Sequence, residues 1–176
     1  MTSNRRELLR LGAMSIISWC ASVTNAADTL REDGLKGTQA PDWQLQNLDG
    51  ERHRLSDLED KAVVLNFWAT WCAPCRVESR WLSEIYNKYR PRGVEVVGIS
   101  MDEPADDAAV AQFVKSFGIS YPILLHGQSI AAYYGGVRVL PQTFFVDRSR
   151  MIVRNTLGIK NREQLYAEVA SLGARP

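Results

Sequence analysis

An apolar run, Ala62-Val63-Val64-Leu65-Asn66-Phe67-Trp68, gives way after two residues to Trp71-Cys72-Ala73-Pro74-Cys75, and this succession constrains the chain most. Seven residues apolar but for Asn66 form a strand buried on both faces, a rigid base for whatever follows. Pro74 suits the first turn of a helix, where its missing N–H costs nothing, so the two thiols stand where a helix opens. Unpaired N–H groups and the positive end of the dipole favour thiolate over thiol at the first cysteine. Cys72 is therefore expected to be the exposed, attacking sulfur. Cys75, one turn further in, is expected to be the resolving thiol that closes the disulfide and releases a partner.

Two other uses of such a pair have to be weighed. A structural zinc site needs four ligands, and a purely structural disulfide needs no mobile chemistry. The one further cysteine, Cys20, falls in a segment read below as removable, and His53 and His126 are isolated without ligand spacing. No metal site is expected, and redox exchange is the favoured chemistry.

The 176 residues suffice for one domain with its own core. Net charge is +1, of which residues 1–26 carry +2 through Arg5, Arg6, Glu7 and Arg10, so the remainder carries −1. That balance offers no field for nucleic acid or an anionic membrane. Residues 1–26 read as an export signal: a basic start, a modest apolar run from Leu11 to Val23, then small residues with cleavage expected after Ala26. Arg5-Arg6 followed by Glu7-Leu8-Leu9 fits the twin-arginine pattern, favoured here over general secretion. Cys20 lies in a poor lipobox, because Trp19 stands where Gly or Ala is wanted. An envelope location permits disulfide chemistry. Residues 27–37 read as a flexible leader and 38–176 as the folded domain.

Along that domain, Trp43–Gln46 and Glu51–Leu55 around Asn47-Leu48-Asp49-Gly50 predict a β-hairpin. Ser56 is placed to cap a short helical start. Strand Ala62–Trp68, helix Pro74–Tyr89, strand Val94–Ser100 and a helix from Pro104 to Phe117 follow, the last stopped by Gly118. A short strand within Ile119–Leu125, a brief helix Ser129–Tyr134, strands Thr143–Val146 and Met151–Leu157, and a final helix capped by Asn161 complete the order. This predicts an α/β fold with a mixed sheet and helices on both faces.

With the dithiol on that order, the chain resembles the TlpA/ResA/CcmG-like branch of thioredoxin-fold thiol:disulfide oxidoreductases. Four segments carry the likeness: Ala40-Pro41-Asp42-Trp43 with Leu48-Asp49-Gly50; Asn66 to Glu78 around the dithiol; Phe117-Gly118-Ile119-Ser120-Tyr121-Pro122; and Val139-Leu140-Pro141-Gln142-Thr143-Phe144-Phe145-Val146-Asp147. The resemblance implies a thioredoxin-like fold: a mixed central sheet flanked by helices, an N-terminal hairpin and an inserted αβ element. It also implies a cis bond at Pro141 facing the dithiol, with the backbone of Leu140 exposed for an extended substrate. It assigns Glu78, three residues after Cys75, the tuning of thiol ionisation, because Asn66 stands where thioredoxin has a buried aspartate and cannot take a proton. The other reading of Glu78 is a solvated helix residue paired with an arginine. Arg80 replaces the proline that kinks this helix in thioredoxins, so a straighter helix is expected. His126 reads as a loop histidine.

The implied activity is reduction of envelope protein disulfides, with Trp71, Pro74, Leu140 and Pro141 forming the rim that binds substrate. Its only redox group is the Cys72–Cys75 disulfide, with no separate cofactor. The implied partners are disulfide-bearing proteins, such as apocytochrome c haem-site or copper-site cysteines, and a membrane thiol donor of the DsbD or CcdA kind. A monomer is expected. A peroxiredoxin-type peroxidase needs a threonine or serine three residues before its cysteine and a proline seven before, where this chain has Ala69 and Leu65. A Sco-type copper chaperone needs cysteines three residues apart and a distant histidine.

Overall fold

The computed structural model describes residues 34–173. The expected signal over 1–26 with Cys20, most of the 27–37 leader and the last three residues lie outside the described residues. The elements, in order, are β1 (Gln44–Gln46), β2 (Arg52–Arg54), β3 (Ala62–Trp68), α1 (Ala73–Tyr89), β4 (Val94–Ser100), α2 (Asp107–Phe117), β5 (Ile123–Leu124), α3 (Gln128–Ala131), β6 (Gln142–Val146), β7 (Ile152–Leu157) and α4 (Arg162–Ser171).

Strands β1 and β2 pair antiparallel, with Leu45 opposite His53, as the alternation predicts. The other five form one sheet in the order β5-β4-β3-β6-β7. β3, β4 and β5 are parallel, while β6 and β7 run antiparallel to their neighbours. All seven residues of both β3 and β4 are buried, because helices cover one face and the hairpin with α3 covers the other. Leu82 and Ile85 of α1, Val110 of α2, and Leu165 and Val169 of α4 pack on the first face. Trp43, Leu45, Ile130 and Tyr134 pack on the second. There the rings of Phe67, Tyr134 and Phe144 meet mutually, with centroids 5.0 to 5.8 Å apart.

Local details depart from the sequence reading. Ser56 does not cap the short helical turn Leu55–Leu58; it lies inside it. The carboxylate of Asp57 accepts from the Arg54 N–H at 2.9 Å, and Asp42 accepts from the Ser56 N–H at 3.0 Å. Longer acidic side chains reach these free N–H groups, so the hydroxyl is not needed. β5 shrinks to two residues because Pro122 has no N–H to give a ladder; its carbonyl instead accepts from Gly98 N at 2.9 Å. Asn161 caps α4 as expected, accepting from Gln164 N at 2.8 Å. α1 runs unbroken for 17 residues. Arg80, in place of a kinking proline, keeps the i to i−4 ladder intact and lays its guanidinium 5.6 Å from the Phe117 ring centre.

Candidate active site

Because β3 and β4 are parallel and paired through Trp68 and Ser100, the chain leaves both strands at the same end of the sheet. There Asp102, just past β4, reaches back to the segment that follows β3. Its carboxylate accepts from the Thr70 N–H at 3.0 Å, the Thr70 hydroxyl at 2.6 Å and the Ser100 hydroxyl at 2.9 Å. Gln128 Nε2 donates to the Met101 and Asp102 carbonyls at 2.7 and 2.9 Å, holding that turn from the other side. This clamp, absent from the sequence reading, fixes the approach to Trp71 and Cys72. Asp102→Ala leaves three donors without their acceptor, and the expected loss of stability is about 2–3 kcal/mol. Urea unfolding of the variant against the parent measures it.

Cys72 is the residue that caps α1, and Ala73 and Pro74 form the helix's first turn. The two sulfurs are joined in a disulfide whose Cα atoms lie 5.3 Å apart. Cys72 Sγ also accepts from the Cys75 N–H at 3.3 Å. The dithiol expected from spacing thus forms a closed pair at the positive end of a long helix. The expected exposure of Cys72 needs correction: it is 5% exposed, against 2% for Cys75. Its sulfur turns inward to bond with Cys75, while Trp71, 67% exposed, and Pro74 form the outer surface.

The register of β3 with β6 pairs Phe67 with Gln142. Pro141 is therefore level with Trp68, at the end of the sheet from which the Cys72 loop departs. The Leu140–Pro141 peptide is cis. Pro141 is buried, and half-buried Leu140 packs against the core cluster that contains both cysteines. The Pro141 carbonyl accepts from Gly158 N at 2.8 Å, which brings exposed Ile159 beside the proline loop.

Behind the disulfide lies a buried polar group. Glu78, 1% exposed, sits one turn below Cys75 on the same face of α1. Asn66 Nδ2 donates to Glu78 Oε2 at 2.8 Å and to Thr143 Oγ1 at 2.9 Å, tying α1, β3 and β6 together. Burial pushes the Glu78 carboxyl up to about 7, and the Asn66 hydrogen bond works against that rise. A solvated glutamate paired with an arginine is thus overturned. The hydroxyl of Tyr121 and the indole N–H of Trp68 are buried nearby without a hydrogen-bond partner. Gly98 permits this crowding: an ideal Cβ there would sit 2.9 Å from the Tyr121 ring and 3.0 Å from Trp68 Nε1.

The profile of the AhpC/TSA family matches residues 36–155. The chain belongs to the AhpC/TSA family. Within that family it is 39% identical over 130 residues to the thiol-disulfide oxidoreductase ResA of Bacillus anthracis, covering 73% of each chain. With ResA of Bacillus subtilis strain 168 it shares 33% identity over 171 residues, covering 94% of this chain and 93% of that one. A secreted thiol-disulfide isomerase from Corynebacterium glutamicum has the same fold, with a TM-score of 0.68 and 29% identity over 76% of this chain and 84% of that one. This AhpC/TSA member is accordingly a ResA-like thiol-disulfide oxidoreductase with a thioredoxin-like fold and a Cys-x-x-Cys disulfide.

Proposed function

We propose that the protein reduces disulfides of proteins in the cell envelope. One observation carries this reading: Cys72 caps α1 next to exposed Trp71, closed in a disulfide with Cys75, and the buried Glu78 carboxyl stands one turn further along the same helix face. In the reduced form, Cys72 thiolate attacks a partner disulfide. One partner sulfur joins Cys72 in a mixed disulfide and the other leaves as thiolate. Cys75 then gives its proton to Glu78 and attacks the Cys72 sulfur. The Cys72–Cys75 bond forms as the bond from Cys72 to the partner breaks, the second partner sulfur leaves as thiolate, both partner thiolates take protons from water, and two electrons have passed from protein to partner. Exposed Trp71 and Pro74 and half-buried Leu140, held by its cis bond to buried Pro141, form the surface against which the partner docks.

Support for the envelope location comes from the signal-like residues 1–26, with the twin-arginine route favoured, and from a relative described as secreted. Apocytochrome c haem-site cysteines or copper-site cysteines are the substrate class suggested by the resemblance, with a membrane thiol donor of the DsbD or CcdA kind restoring the dithiol. A peroxidase gains nothing from the structure. Ala69, three residues before Cys72, is buried and has no hydroxyl, and Leu65 lies in the core of β3.

Equilibration with glutathione buffers tests the direction of electron flow. A reductase is expected to show a potential below about −250 mV, whereas a value near about −120 mV marks an oxidant and overturns the proposal.

A further inference from the structure

Between the Trp71 corner, next in the chain to Cys72, and α2 runs an open groove of ≈ 430 Å³ whose lining includes Thr70, Trp71, Arg76, Phe113 and Phe117. The rings of Phe113 and Phe117 stack with centroids 4.3 Å apart and form an aromatic floor. Arg76 lines the groove, and Arg80, four residues on and also exposed, stands one turn further along α1 over the Phe117 ring that lines it. Each guanidinium is held in place. Arg76 donates to the Thr70 carbonyl at 3.3 Å, and Arg80 lies over Phe117. Among the described residues neither forms an ion pair. The nearby carboxylates are engaged elsewhere: Asp102 with Thr70 and Ser100, Glu84 with Arg162 and Tyr166, and Glu78 with Asn66 inside the core.

We infer that this groove receives an acidic segment of the polypeptide whose disulfide Cys72 attacks, a carboxylate side chain meeting Arg76 and Arg80. The inference rests on the exchange reaction proposed above. Trp71 adjoins Cys72 and lines the groove, so a partner chain held at Cys72 and crossing Trp71 runs on into the groove along α2. A carboxylate there finds two positive charges that lack a counter-charge, on side chains already ordered by stacking and hydrogen bonding. Such an arrangement lowers the entropy lost on pairing and permits two-pronged bonds to the guanidinium. The aromatic floor takes an apolar neighbour of that carboxylate. The groove therefore selects among disulfides by what flanks them, a choice the two sulfurs alone cannot make.

Three synthetic peptides with one internal disulfide, identical except for Asp, Ser or Lys in the flank, test this. Their reduction by the reduced full-length protein is followed at low salt and at about 0.5 M NaCl. At low salt the Asp peptide is expected to react about tenfold faster than the Lys peptide, with Ser between. At high salt the three rates should converge. An Arg76→Glu, Arg80→Glu variant should invert the order, and Arg76→Gln, Arg80→Gln should erase it. The same thiol attacks every peptide, so the ratio of rates cancels any change in how readily Cys72 ionises. Equal rates in the parent, or an Asp preference that survives in both variants, overturn the inference and leave the exchange reaction standing. Failure of the parent to reduce any of the three overturns the reaction as well.

Discussion

Cys72→Ser is expected to abolish disulfide exchange, by more than about a thousandfold, while Cys75→Ser stops the reaction half-way with a partner covalently attached. The two sulfurs look equivalent in a disulfide, but their surroundings are not. Cys72 caps α1 and accepts the N–H of Cys75, so a negative charge on its sulfur meets a donor and the positive end of a 17-residue helix. Cys75 lies inside the first turn, is 2% exposed and has buried Glu78 one turn further along the same face of α1. Of the two buried sulfurs, Cys72 is the less covered and adjoins exposed Trp71, so an incoming disulfide meets it first. Removing that sulfur leaves an attacker that no partner can approach. Removing the inner one leaves an attacker with nothing to displace its partner. Rates with a disulfide peptide and intact-mass spectrometry of the products separate the two outcomes. Sustained turnover by Cys75→Ser, or an adduct on Cys75 in the Cys72→Ser protein, would reverse the assignment. The fold should survive both changes, because the bond closes a sequence separation of only 3, each serine nearly matches the cysteine it replaces in size, and the second core cluster contains neither sulfur.

What can be seen in the sequence follows from how local its causes are. The strand Ala62–Trp68, the helix opening at the dithiol and the Asn161 cap are each written in a few neighbouring residues. Their physical causes, continuous apolarity, a proline at a helix start and an Asx cap, act over the same short range. Pro141 is legible through its motif, and the sheet register then brings it to the level of Trp68. Asp102 gives no such signal. Its partner Thr70 is 32 residues away, and the two meet because parallel strands end side by side. Pattern alone also cannot place Glu78. A carboxylate on a helix reads as a solvent-facing residue, and only the amide of Asn66 across the sheet makes its burial tolerable. The inward turn of Cys72 is hidden for a related reason, since spacing shows where two sulfurs can meet but not which way the pair then faces.

Glu78→Gln is expected to remove the pH dependence that the buried carboxyl imposes on both stability and resolution of the mixed disulfide. In the folded protein this group titrates at about 7 against a reference of 4.5, so between those values the native state holds a proton that the unfolded chain releases. With more protons bound in the native state, stability falls as pH rises. The penalty is absent below about 4.5, grows through the interval and is complete above about 7, reaching about 3 kcal/mol. A glutamine keeps the size and an acceptor for Asn66 but carries no charge at any pH. The oxidised Glu78→Gln variant should therefore gain about 3 kcal/mol on the parent between pH 4.5 and pH 8, read by denaturant unfolding at the two values. Catalysis should move the opposite way. Without a group to take the Cys75 proton, release of the partner is expected to slow by about 10²–10⁴-fold near neutral pH, and the inflection near 7 should vanish from its pH profile. Parallel stability curves for parent and variant would place the carboxyl in water rather than in the core. A stability difference without any change in the release step would leave Glu78 a buried structural acid and remove it from the reaction.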